Sequence, residues 1–199
     1  MTPSPMARLG PVRQLGYLVE NLDQAIAAWE RQLAVGPWLI MRNISLDCTF
    51  RGAASQPCID IAMAWRGEQQ IELIQQRDES ASPYLAHRQR GQFGLHHIAF
   101  LSADIAADTT MLQAAGLKLA CDIRMPGAGR YVYFDSPVAG ETSYIELLEA
   151  TTMMRAMFAD GINEAARWQG EPANLNFNLG PMLRLMRLGR RLWPRGGRA

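Results

Sequence analysis

The sequence predicts an α+β fold of two tandem βαβββ modules that form a cupped mixed sheet, followed by a C-terminal helical extension. Three observations predict it. The chain repeats itself: residues 14–23 (QLGYLVENLD) are answered by residues 97–106 (HIAFLSADIA). Each copy runs into an alanine-rich segment that ends at a glycine, Gly36 in the first and Gly116 in the second. Each half then closes on nearly the same four residues, IELI at 71–74 and IELL at 145–148. Self-similarity at a fixed separation marks a structural unit used more than once.

The elements follow in order. Leu15, Tyr17 and Val19 alternate with Gln14, Gly16 and Leu18, the period-two pattern of a strand. Asn21 and Asp104 stand directly after the opening strands, where a short side-chain acceptor satisfies the orphan N–H groups of a helix start. Helices are predicted over residues 22–33 and 105–115, with Gly36 and Gly116 supplying left-handed turns just beyond them. Strands are predicted over 38–44, 59–65 and 70–75 in the first half and over 117–123, 131–135 and 143–148 in the second. The modules span about residues 10–76 and 94–150, together one domain of residues 10–150, and the polar stretch 77–94 with Pro83 reads as the link.

Residues 151–199 read as a helical, basic extension. One helix is predicted from Thr151 or Thr152 to about Trp168, then a loop over 170–180. A second helix is expected over 181–193, from Pro181 to Trp193, with Pro181 in its first turn. Its arginines 184, 187 and 191 share one face and Met182, Leu185, Met186 and Leu192 another. Such a helix can rest on an anionic membrane surface, but docking on the domain or on a second subunit is the favoured expectation. From Pro172 onward there are six arginines and no acids, so with a net charge of +1 the remainder carries about −5. Those arginines alone support no nucleic-acid function.

Composition excludes other classes. Three cysteines, an odd number without CxxC pairing, exclude a disulfide framework and a structural zinc site. The first ten residues hold no continuous apolar run, and no segment approaches the ~20 apolar residues needed to span a bilayer. A cytoplasmic enzyme of a small molecule is expected, assembled as a homodimer.

Paired βαβββ modules with these opening and closing runs resemble the vicinal oxygen chelate superfamily, which includes glyoxalase I, methylmalonyl-CoA epimerase, extradiol dioxygenases and bleomycin-resistance proteins. The likeness covers about residues 10–150, and residues 94–100 (GLHHIAF) are similar to the epimerase branch. The resemblance implies metal ligands at four equivalent places, the first and last strands of each module. Carried over residue by residue, these are Gln14, Glu72, His97 and Glu146. Aligning QLGY with HIAF selects His97 over His96. Strand parity agrees, placing Gln14 and His97 on the face opposite Leu15, Tyr17, Ile98 and Phe100. His96 is expected to point the other way.

Two carboxylates, an amide oxygen and an imidazole make an oxygen-rich set suited to Mg, Mn, Co, Ni or Zn. The expected chemistry is that of a lyase, isomerase or epimerase, in which a metal-stabilised enolate forms as a carboxylate removes a proton from a small oxygenated carbon acid or thioester. Glu146 is the expected base, with Glu72 the second choice. A non-catalytic binder of the bleomycin-resistance type is the alternative. A ring-cleaving dioxygenase fits less well, since the two-His-one-carboxylate pattern needs a histidine where Gln14 stands. Glyoxalase I carries the same four ligand types, but its glutathione-gripping Arg and Asn positions are Leu18 and Gln76 here, which leaves glutathione unsupported. Arg124 and Arg130 are candidates for an anionic substrate group. His87 reads as a solvated loop residue, and Trp38, Met63, Trp65 and Tyr133 as core residues able to line an apolar pocket.

Overall fold

The computed structural model describes residues 5–125, 128–136 and 144–170, together with the backbone of 175–177. The first half runs β1 (Gln14–Leu18), α1 (Leu22–Leu33), β2 (Leu39–Ser45), β3 (Cys48–Phe50), β4 (Ala53–Ser55), β5 (Cys58–Arg66) and β6 (Gln69–Gln76). A short helix α2 (Pro83–Arg88) leads into the second half: β7 (Gly94–Ser102), α3 (Ile105–Ala114), β8 (Leu119–Met125), β9 (Gly129–Asp135) and β10 (Tyr144–Glu149). Helix α4 (Thr152–Arg167) and a short β11 (Leu175–Phe177) follow. Asn21 and Asp104 cap α1 and α3 through their side chains, as their positions after the strands lead one to expect.

The strands make one mixed sheet in the order β11-β2-β5-β6-β1-β7-β10-β9-β8-β3-β4. The opening strands β1 and β7 pair antiparallel at its centre, and each pairs in parallel with the closing strand of its own half, β6 or β10. Only two residues separate the end of β2 from the start of β3, yet β2 lies towards one edge of the sheet and β3 towards the other, against β8. A link that short brings the edges together, so the sheet curls into a cup. The β3–β4 hairpin turns through Arg51 and Gly52, both at positive φ, the two-residue turn whose twist suits antiparallel strands. The sequence pattern does not reveal it, because Arg at the first position lacks the Asn or Asp that usually signals that turn.

Burial follows the two-sided design. Leu22, Ile26 and Trp38 pack beneath α1 on the outer face of the first half, and Ile105, Leu112, Val132 and Phe134 do the same beneath α3. A third cluster fills the inside of the cup, drawing Ile44, Ile61, Ile123 and Tyr133 from both halves. Met154 and Phe158 of α4 belong to it, so the extension is packed across the cup. Phe158 meets Trp65 edge to face at 5.9 Å.

Some expectations change. The link region contains α2, begun by Ser82 as N-cap and Pro83 in the first turn. The left-handed residue ending α1 is Ala34, with φ 49°; Gly36 instead makes room for Trp168, whose ring would stand 2.9 Å from a Cβ there. A strand, β11, lies within the stretch expected as loop. The basic helix expected over 181–193, with its proposed membrane or docking role, lies outside the described residues. Cys48, Cys58 and Cys121 are free. Among the described residues no helix is long and apolar enough to cross a membrane.

Gly161 of α4 has the same role as Gly36, since a Cβ there would lie 2.4 Å from the Trp65 ring. Gly→Ala inside a helix ordinarily stabilises by ~0.5–1 kcal/mol. Here Gly161→Ala is expected to lower the melting temperature instead, by the ~1–3 kcal/mol typical of overpacking, as thermal unfolding will read directly.

Candidate active site

Gln14, Glu72, His97 and Glu146 come from β1, β6, β7 and β10, the four central strands. Strand register brings them together: Gly16 is paired with Glu72 on one side and His97 on the other, and Glu146 is paired with Ala99. His97 Nε2 stands 3.0 Å from Glu146 Oε2, 3.2 Å from Gln14 Oε1 and 3.5 Å from Glu72 Oε2. Gln14, His97 and Glu146 are buried, and Glu72 is nearly so. Gln14, Glu72 and Glu146 line a cavity of about 310 Å³ inside the cup, and His97 lies behind them.

The space His97 occupies exists because residue 16 has no side chain. A Cβ on Gly16 would lie 1.9 Å from His97 Cε1 and 2.2 Å from Nε2. A glycine inside a strand often marks such a close approach, so this signal was readable in the sequence. The adjacent pairing slips by one residue on β7, from Gly16↔His97 to Tyr17↔Leu95. His96 is thus the extra residue of a bulge. It does not point away from His97 as strand parity predicts: it is buried, with its Nδ1 3.1 Å from His97 Nδ1.

The contacts assign the protons. His96 Nε2 faces the Pro83 carbonyl at 3.3 Å, which can only accept, so His96 donates from Nε2 and accepts at Nδ1. Burial first, then the charges of His97 and His87, hold its pKa well below the usual value and keep it neutral. His97 Nδ1 is therefore the donor in the pair, and its Nε2 is the atom presented to the oxygen cluster. Burial opposes charge on His97, but Glu146 and Glu72 outweigh it and raise its pKa to about 9. Burial likewise raises the pKa of Glu146, against the pull of His97. Glu146 also accepts a hydrogen bond from Tyr133, whose hydroxyl is 3.0 Å from that of Tyr84. With Tyr133 donating to the carboxylate, Tyr84 donates to Tyr133. Burial and the nearby glutamates keep both phenols protonated.

Gln14 is held by Gln70, to whose Oε1 it donates at 2.7 Å; this turns its own Oε1 towards His97. Sequence reasoning missed Gln70, although it lies two residues before Glu72 and therefore on the same face of β6. His87 is another departure: it is buried in α2, with its ring 4.8 Å from that of His96. Of the residues expected to line a pocket, Met63 and Tyr133 do so, while Trp65 packs on α4 and Trp38 under α1. Arg124 and Arg130 are absent from the cavity lining. Arg130 is paired with Asp122 at 2.8 Å, and Arg124 is largely exposed.

The donor set suits a divalent ion on two counts. Neighbouring ligands of an octahedral ion at ~2.1 Å stand ~3.0 Å apart, close to the spacings around His97 Nε2. Glu146 Oε2, buried, makes no hydrogen bond of good geometry, and its neighbour is the His97 imidazole, with Nε2 3.0 Å away. The four groups contact one another directly through His97 Nε2. Among the described residues no group of three or more His, Cys, Asp and Glu side chains is arranged to hold a metal ion.

The family model of the glyoxalase/bleomycin resistance protein/dioxygenase superfamily matches residues 13–134. The chain belongs to this superfamily. No curated protein matches the chain. Among solved structures, a hypothetical protein from Bacillus halodurans C-125 is 20% identical, with 71% of this chain and 94% of that one covered and a TM-score of 0.50. Methylmalonyl-CoA epimerase from Mycobacterium tuberculosis is 22% identical over 73% of this chain and 91% of that one, with a TM-score of 0.49. At such identities the first likeness speaks for the fold alone, and the second carries no argument. Within the superfamily, members of this fold act as enzymes or as small-molecule binders.

The closeness of His97 to Gly16 makes a sharp test. Gly16→Ala is expected to destabilise the protein by at least ~1–3 kcal/mol and to displace the imidazole. Denaturant unfolding, with the His97 ring signals in NMR, checks both, and an unchanged His97 environment would contradict the packing described.

Proposed function

We propose that the protein is a metal-dependent lyase, isomerase or epimerase that withdraws a proton from an oxygenated carbon acid or thioester. The observation that carries this reading is the meeting of Gln14, Glu72, His97 and Glu146 at the floor of an apolar cavity, with a buried carboxylate oxygen that faces only the His97 imidazole. These four residues would hold the ion. When bound, a divalent ion supplies Lewis acidity towards the negative charge that develops on a substrate oxygen.

The chain's own groups do the rest. Glu146 takes the proton: it lines the cavity, and its burial favours the protonated form, which brings a carboxylate closer to the range useful for base catalysis at neutral pH. Tyr133, backed by Tyr84, holds the carboxylate in place through its hydrogen bond. Gln70 fixes the Gln14 amide with its oxygen inward. His96 receives the Nδ1 proton of His97 and so orients Nε2 towards the cluster, the service an outer partner gives a metal-bound histidine. Apolar walls exclude water that would otherwise compete for the proton. A sequestering role, the second reading, is favoured by one feature, the almost wholly apolar character of those walls.

Two measurements separate these readings. Protein prepared without chelators is expected to bind one divalent ion per chain and to exchange solvent deuterium into a bound carbon acid, followed by NMR. Glu146→Gln, which keeps an oxygen donor, should lower exchange 10²–10⁴-fold at saturating ion, whereas Glu72→Gln should act chiefly on ion affinity. No ion bound at any pH, or exchange that ignores Glu146, would defeat the enzymatic reading. In a separate variant, His96→Phe is expected to weaken ion binding ~10–100-fold without disturbing the fold, measured by titration calorimetry and circular dichroism.

A further inference from the structure

The cavity over the cluster indicates which class of molecule it receives. At about 310 Å³ it equals roughly ten water-sized volumes of ~30 Å³ each, room for a body of about ten carbons. Its polar groups gather at one end. Gln14, Glu72 and Glu146 are there, Gln70 is bonded to Gln14, and the hydroxyls of Tyr84 and Tyr133 serve each other and Glu146. The remaining wall is aliphatic or thioether apart from Tyr131, whose hydroxyl donates to the Ala128 carbonyl. Ile44, Ile61 and Ile123 face it from three strands, and Met153, Met154 and Met157 of α4 roof it.

No Arg, Lys or His side chain lines the cavity among the described residues. The two arginines placed by sequence near this end of the sheet are spent elsewhere, Arg130 on Asp122 and Arg124 in solvent. In the ion-free protein an anionic group inside would meet two carboxylates that share a single cation, the His97 imidazole already held between them, and burying an uncompensated charge costs far more than a hydrocarbon contact returns. Unbranched methionines with a polarisable sulfur adapt to irregular apolar shapes, so the roof accepts a chain or a ring rather than one rigid outline.

We propose that the substrate is an uncharged, predominantly hydrocarbon compound of about ten carbons with a single oxygenated end, such as a medium-chain ketone or aldehyde, that end resting on the floor formed by Gln14, Glu72 and Glu146. This deepens the enzymatic reading above and rests on it for the chemistry, but not for the binding.

The test is a calorimetric titration of full-length, ion-free protein with 2-decanone, decanoate and 2-butanone, repeated after loading with Ni²⁺, whose own binding is titrated separately. In the ion-free protein 2-decanone is expected to bind at least tenfold more tightly than decanoate. It should bind at least a hundredfold more tightly than 2-butanone, which lacks six methylenes. Met154→Phe, which fills the roof, should weaken 2-decanone at least tenfold at an unchanged melting temperature. Met63→Lys, which adds a cation to the wall, should shift preference towards decanoate. Equal or tighter binding of decanoate by the unaltered ion-free protein, or indifference to chain length, overturns the proposal. Binding of 2-decanone without any uptake of Ni²⁺ would instead sustain it and overturn the metal-dependent reading, so the two failures are distinguishable.

Discussion

The contact between the His97 ring and the bare backbone of Gly16 is the constraint on which the rest of the structure depends. An imidazole can lie inside a sheet only where the neighbouring strand lacks a side chain, and a Cβ at residue 16 would overlap it. Gly16 is also the residue opposite Glu72, and β7 in turn sets the register of β10 and Glu146. One missing side chain thus allows the opening strands of both halves to pair at the centre while three oxygen-bearing side chains gather around a single ring nitrogen. Moving either strand by one residue would send its own member of the set, Gln14 or His97, to the outer face.

The repeat made much of this legible. Period-two alternation in each opening strand, the capping residues Asn21 and Asp104, and the shared IEL run are local signals, and they place the strands, the helices and the four cluster residues on the elements where the structure has them. What escaped was non-local. The bulge that turns His96 inward arises from a one-residue mismatch between β1 and β7, which strand parity assumes away. His87 read as solvated because its neighbours Arg88 and Arg90 are charged, yet Ser82 and Pro83 start a helical turn that buries it against His96. Helix α4 was legible as a helix. That its methionines would roof the cavity was not, because amphipathic spacing says which face is apolar and nothing about what that face covers.

The apolar walls and the polar floor act on each other. In surroundings of low polarizability each hydrogen bond is electrostatically stronger and each unpaired group more costly. That explains why the floor is so fully cross-bonded: Gln70 to Gln14, Tyr84 to Tyr133 to Glu146, and Pro83 to His96 to His97. Each of these chains ends on a member of the cluster and removes a degree of freedom from it. Two atoms of the floor lack a hydrogen-bond partner, Gln70 Nε2 and Glu146 Oε2, and of these the carboxylate oxygen is the one that faces the His97 imidazole.

Charge balance joins that oxygen to the cavity above it. Two carboxylates and one imidazolium leave the ion-free floor with one net negative charge, buried where water cannot spread it. Under the proposed function, a divalent ion held by these residues in place of the Nε2 proton would bring the same groups to neutrality, since the histidine would then be neutral. The amide at Gln14 contributes a donor oxygen without a further charge, so the balance closes with these four side chains. Such a floor, neutral if it held an ion and negative otherwise, would favour an uncharged ligand in the second state and would not oppose one in the first. No Arg, Lys or His stands on the described walls to compensate an anionic ligand in the ion-free protein. Under the proposed function, the selectivity of the cavity and the composition of the cluster would answer one electrostatic requirement, that charge buried in this cup be balanced when the site is filled.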